Sequence, residues 1–167
     1  MKRYYLAYGS NLNIRQMRYR CPTAKPIGIT AIPDYELLYK GSGTGAYLNE
    51  LLYKGSGTGA YLTIEPKKNG IVPIAVWEVT ADDEKRLDAY EGCPTFYYKK
   101  EVRLPVKLAS GKTKKLTAFV YIMHEERSLG IPSLAYIRTC EEGYRNFGFD
   151  TKFLDAAYEI SAKEVQR

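Results

Sequence analysis

The chain has 167 residues, 45% of them apolar, and a formal net charge of +6. That length suits one domain, residues 1–167, with a real hydrophobic core, and the composition excludes a disordered chain. No apolar run approaches the roughly 18 residues that a spanning helix needs.

The N-terminus, MKRYYLAYGSN, has a basic start but no long apolar run and no small-residue cleavage site. It carries no signal-peptide pattern, so a cytoplasmic protein is expected, with no membrane association. Cys21, Cys93 and Cys140 are an odd set without CxxC spacing, which argues against a disulfide framework or a cysteine zinc site. A single histidine, His124, leaves one candidate base for any Ser–His or Cys–His arrangement. It follows a strand-like run and is read as a surface residue. Lysines gather at 67–68, 99–100 and 112–115, positions that look like turns and strand edges. Sixteen tyrosines are many for this length. A buried tyrosine hydroxyl seeks a partner, so they fit a core that borders a polar cavity, or stacking on nucleic-acid bases.

In chain order, YYLAYG (4–9) reads as a short strand ending in glycine. NLNIRQMRYRCP (11–22) reads as an irregular helix stopped by Pro22. Residues 26–35 read as strand and turn. IVPIAVWEV (71–79) is a strand in which Pro73 marks an edge or a bulge. TADDEKRLDAYEG (80–92) is a helix with Thr80 as its cap, acids in the first turn and Gly92 as its stop. FYYKKEVRLPVKL (96–108) and LTAFVYIM (116–123) flank the turn SGK as a hairpin. Two helices follow, in SLAYIRTCEEGYRNFG and TKFLDAAYEISAKEV. Strands in the middle and helices at the end predict an α+β fold, a mixed sheet or small barrel packed by helices.

Residues 36–63 write one phrase twice, ELLYKGSGTGAYLN and ELLYKGSGTGAYLT, differing only at Asn49 against Thr63. One copy makes a hairpin: strand, glycine turn, strand. The even period keeps every side chain on its face after a shift of one copy, so either copy fits the same slot. The second runs directly into TIEP and the following strand, and if it takes the slot the first becomes the insertion. The spare copy could loop out, extend a sheet edge, or form a homodimer by strand swapping. GSGTG lacks the lysine and Ser/Thr of a phosphate-binding P-loop and precedes a strand, so a hairpin turn is expected.

Two stretches carry chemistry. In YLAYGSNL (5–12) a strand ends and Gly9-Ser10-Asn11 let the backbone turn with its N–H groups exposed. Such a nest can grip a carboxylate, or it can be an ordinary strand-to-helix connection. In RLDAYEGCP (86–94) Glu91 closes a helix, facing the negative end of the helix dipole. A buried glutamate so placed suits general acid–base work, and an exposed last-turn glutamate is the plain alternative.

Taken together, YGSNL, the tryptophan strand AVWEV, LDAYEG with its aromatic cluster, FVYIM and LAYIRTCEEGYRNFG resemble the γ-glutamylcyclotransferase family, including its AIG2-like relatives. The resemblance covers most of the chain and implies a small mixed β-barrel or sheet with flanking helices. It implies cyclisation of a small-molecule γ-glutamyl substrate: the substrate's α-amine attacks its own side-chain amide, releasing 5-oxoproline and an amine or amino acid. Neither cofactor nor metal is implied. Glu91 matches the catalytic glutamate. Tyr8, Gly9, Ser10, Asn11 and Leu12 match the substrate-holding loop, and Tyr98, Tyr121 and Tyr136 match tyrosines lining the pocket. The duplication departs from the family and is expected to alter an edge or an interface. A non-catalytic small-molecule binding domain on the same fold is the main alternative. A basic, tyrosine-rich RNA-binding domain is a further one, but no RNP-type motif appears, and no nucleic-acid partner is expected.

Overall fold

The structure, a computed structural model, describes residues 2–41 and 59–167. Five strands close into a barrel in the order β1-β3-β2-β4-β5: β1 (Arg3–Ala7), β2 (Lys25–Lys40), β3 (Tyr61–Val79), β4 (Tyr97–Leu108) and β5 (Thr113–Met123). The seam is the parallel pairing of β1 with β5, and every other pairing is antiparallel. Four α-helices are described: α1 (Ile14–Arg20), α2 (Ala81–Glu91), α3 (Leu134–Asn146) and α4 (Lys152–Val165). The α+β barrel with flanking helices expected from the sequence is the fold. No helix among the described residues is long and apolar enough to cross a membrane.

Local chemistry sets the ends of the elements that matter. Thr80 and Asp83 form a reciprocal capping box at the start of α2, and Asp82, Asp83 and Glu84 crowd its positive end. Gly92 stops the helix in the left-handed region at φ 63°, which leaves Glu91 as its last residue. After β1 the chain makes one 3-10 turn, Ser10–Leu12, before Asn13 caps α1 by accepting from the Gln16 N–H. The irregular helix expected over 11–22 is therefore a tight turn followed by a short helix.

The two strands expected in 61–79 are one strand. Residues 67–70 bulge out opposite Asp34, between the pairs Tyr35↔Pro66 and Pro33↔Ile71. Asp34 and Asn69 both take positive φ there, and the Asn69 N–H donates to Asp34 Oδ1 at 3.0 Å. The turn signals in the sequence are real, but they bend a continuous hairpin and do not end it. Pro73 lies beyond Ala75, the last β3 residue paired with β1, where that side of the strand is an edge.

Both copies of the duplicated phrase contribute to the barrel. The first copy supplies the β2 arm and the second supplies the β3 arm, through Leu38↔Thr63, Tyr39↔Leu62 and Lys40↔Tyr61. Each arm is continuous with unique sequence, residues 25–35 on one side and 64–79 on the other. Drawing one arm from each copy therefore keeps both strands unbroken. Deleting residues 36–49 or residues 42–55 gives the same protein, so the extra 14 residues amount to an insertion between the arms. The remaining repeat segments, including most of both GSGTG stretches, lie outside the described residues. Thr63, at the one position where the copies differ, is buried and its hydroxyl accepts from the Met123 N–H at 2.9 Å.

Helix α3 locks the 3-10 turn from outside. Gly143 sits so close that a Cβ there would lie 2.6 Å from the Asn13 nitrogen and 2.7 Å from the Leu12 carbonyl carbon. Asn13 reaches back across this contact, donating to the Thr139 carbonyl at 3.0 Å and to Glu142 at 2.8 Å.

Candidate active site

The end of β1, its 3-10 turn, the C-terminus of α2, the start of β3 and the near end of the β4–β5 hairpin converge on one small cavity. It is lined by Tyr5, Tyr8, Gly9, Ser10, Asn11, Leu62, Glu91, Tyr97, Tyr121 and Tyr136. Glu91 is 6% exposed, and its Oε1 accepts from Asn11 Nδ2 at 3.3 Å. The same amide nitrogen donates to the Tyr5 hydroxyl at 2.9 Å. Ser10 Oγ lies 3.4 Å from the Tyr90 hydroxyl.

The hydroxyls divide by where their protons go. Tyr8 donates to the Tyr121 carbonyl at 2.6 Å, Tyr97 donates to the Leu62 carbonyl at 2.8 Å, and Tyr121 donates to Asp88 Oδ1 at 2.6 Å. Those acceptors fix all three hydroxyls as donors. Tyr5 accepts from Asn11, and Tyr136 accepts from the Leu62 N–H at 3.1 Å. Each of these two therefore keeps a proton to donate. Burial, followed by the charge of Glu91, pushes the Tyr5, Tyr8 and Tyr97 phenols well above their usual range. Burial does the same to Tyr136. Neutral phenols thus stand around Glu91 among the described residues. Among the described residues no cluster of His, Cys, Asp and Glu is arranged to hold a metal ion.

Glu91, Tyr8, Gly9, Ser10, Asn11, Tyr121 and Tyr136, drawn from the sequence as one set, meet in this cavity. Leu12 does not line it; its side chain is fully buried beside Gly143 and anchors the turn. Tyr98 does not line it either. Its hydroxyl donates to Glu125 on the other side of the sheet, and its ring lies 5.1 Å from that of His124. His124 is half-buried, with Nε2 2.7 Å from the Pro94 carbonyl oxygen. The reason is register: Lys99 pairs with Tyr121 and Tyr97 with Met123, so residues 97 and 121 share a face and 98 takes the opposite one. Tyr97 is the inward member of FYY. Tyr5, on β1 just before the turn, also lines the cavity and is not among the site residues expected from the sequence. Tyr97→Phe is expected to cost roughly tenfold or more in any activity of this site, because the Leu62 carbonyl loses its buried partner. Tyr98→Phe should leave the rate within about twofold. Paired kinetics on the two variants checks this.

The chain belongs to the γ-glutamyl cyclotransferase, AIG2-like family, whose pattern matches residues 5–138. Among solved structures, a γ-glutamyl cyclotransferase matches with a TM-score of 0.74 at 23% identity, covering 94% of this chain and 86% of that one. A human protein described as uncharacterized matches at 0.72 and 22% identity, covering 93% and 86%. A yeast γ-glutamyl cyclotransferase described as specific to glutathione matches at 0.60 and 12% identity, covering 97% and 96%. At these identities the structural likeness is one of fold. No curated protein sequence matches the chain.

Proposed function

We propose that this cavity binds a γ-glutamyl group and cyclises it to 5-oxoproline. The observation that carries this reading is the placement of Glu91, a buried carboxyl set among cavity-lining tyrosines and hydrogen-bonded by the turn residue Asn11. Family membership supports the reaction class.

A γ-glutamyl group carries an α-ammonium, an α-carboxylate and a side-chain amide. Glu91, with the tyrosine rings that line the cavity around it, suits the ammonium. The turn at Gly9, Ser10 and Asn11 and the hydroxyl protons of Tyr5 and Tyr136 suit the carboxylate. Glu91 takes a proton from the ammonium. The freed amine attacks the side-chain amide carbon and closes a five-membered ring. As the carbon–nitrogen bond to the leaving group breaks, Glu91 returns the proton to that nitrogen. The ring nitrogen, which still carries two hydrogens after attack, gives up the second through the same carboxyl, and the leaving amine departs as an ammonium, so two protons pass in succession from the attacking to the leaving nitrogen. Because attack is intramolecular, the cavity contributes mainly by holding the folded conformer.

The test is release of 5-oxoproline from a panel of γ-glutamyl amino acids and γ-glutamyl amines, read by mass spectrometry. At least one member should yield it, and its N-acetylated analogue should not, because acetylation removes the attacking amine. Release of no 5-oxoproline from any member would contradict the proposal and favour a binding domain.

A further inference from the structure

We propose that Arg20 is a positioning residue for this reaction: it dictates which way the Asn11 amide faces and so presents an N–H to Glu91. The inference rests on the reading of Glu91 as the acid–base group. Arg20 closes α1 outside the cavity and touches none of the lining carboxyl or phenol groups directly. Its Nη1 meets Asn11 Oδ1 at 2.5 Å, its Nη2 donates to Gln16 Oε1 at 2.9 Å, and its guanidinium carbon lies 3.9 Å from the centre of the Tyr90 ring.

An asparagine amide has two nearly equal ends, one donating and one accepting, and its neighbours decide the orientation. A guanidinium only donates. The end of Asn11 that meets Arg20 must therefore be the oxygen, and the NH₂ group must turn inward. Inward it finds two acceptors, the Tyr5 hydroxyl at 2.9 Å and Glu91 Oε1 at 3.3 Å. Turned over, the amide would set nitrogen against the guanidinium and oxygen against the carboxylate, and both contacts would repel. Arg20 itself has little freedom. It is held at once by Gln16, one helical turn earlier, and by the Tyr90 face, and Tyr90 directly precedes Glu91. A planar two-pronged group is what this arrangement needs, and lysine cannot supply it.

Two measurements test the proposal, one independent of activity. The first is hydrogen exchange of the Asn11 side-chain amide protons by NMR. They should be protected in the native protein and exchange at least about tenfold faster in Arg20→Ala and in Arg20→Lys, the latter keeping the charge and guarding against a misfolded alanine variant. Unchanged exchange in either folded variant overturns the proposal, whatever the enzyme does. The second is a double-mutant cycle on 5-oxoproline formation. Arg20→Ala should lower kcat about 10- to 100-fold in the native background with KM little changed. In the Asn11→Ala background it should lower kcat less than about twofold. Equal losses in both backgrounds would mean that Arg20 acts by another route and would overturn it. A native protein inactive on every γ-glutamyl substrate would instead count against the functional reading, and the exchange measurement would still decide the role of Arg20.

Discussion

Replacing Glu91 with glutamine is expected to lower the rate of 5-oxoproline formation by about 10²- to 10⁴-fold, the range over which a positioned acid–base group contributes. The substitution preserves size and shape. Its amide oxygen can still accept from Asn11 Nδ2, so the turn and the end of α2 should stay in place. What it removes is the proton shuttle. The other hydroxyls of the cavity cannot substitute, because Tyr5, Tyr8, Tyr97 and Tyr136 are held in their neutral, protonated forms by burial. Single-turnover and steady-state kinetics, with a thermal melt as the folding control, check this. A folded Glu91→Gln variant that keeps the native rate would show that the carboxyl is structural.

The second large effect is on stability at high pH. Tyr5, Tyr8, Tyr97, Tyr136 and Tyr144 all have phenols raised well above their usual range by burial. In the unfolded chain they ionise near pH 10. Above that pH the unfolded state binds fewer protons than the folded state, so stability falls as pH rises. Below it the two states are equally protonated and these groups contribute no pH dependence. Each phenol removes about 1.4 kcal/mol per pH unit, so the five together remove roughly 7 kcal/mol by about pH 11, a large share of a typical domain's stability. Melting temperature should be flat through neutral pH and collapse between about pH 10 and 11. Phenolate absorbance should show a fraction of the tyrosines appearing only as the fold is lost. Smooth titration of all sixteen tyrosines in a still-folded protein would contradict the burial of these five phenols.

The parts of the site visible in the sequence are those with local causes. Helix α2 announces its start through Thr80 and its acids and its stop through Gly92, and that places Glu91 at the helix end without any tertiary information. The turn YGSN is likewise a local signal. What was not legible depends on register. Tyr97 and Tyr98 are adjacent and identical in kind, and only the pairing of β4 with β5 says which faces inward. The long β2–β3 hairpin looked like separate strands because Asp34 and residues 67–70 carry turn chemistry that the barrel absorbs as a bulge. The repeat could not be settled from its own letters, since its copies are nearly identical. The unique strands on either side decide it, by claiming one arm each. Arg20 was invisible for another reason: its importance lies in a contact with Asn11, nine residues away, across a turn whose shape only the fold supplies.

The most direct test of the central claim is to run the reaction of the best γ-glutamyl substrate in ¹⁸O-labelled water and weigh the products. Intramolecular attack by the α-amine keeps the original carbonyl oxygen, so the account predicts 5-oxoproline carrying no label and no labelled glutamate. Glutamate with one ¹⁸O in its side-chain carboxylate would mean that water is the nucleophile, and the site would then be a hydrolase and not a cyclotransferase.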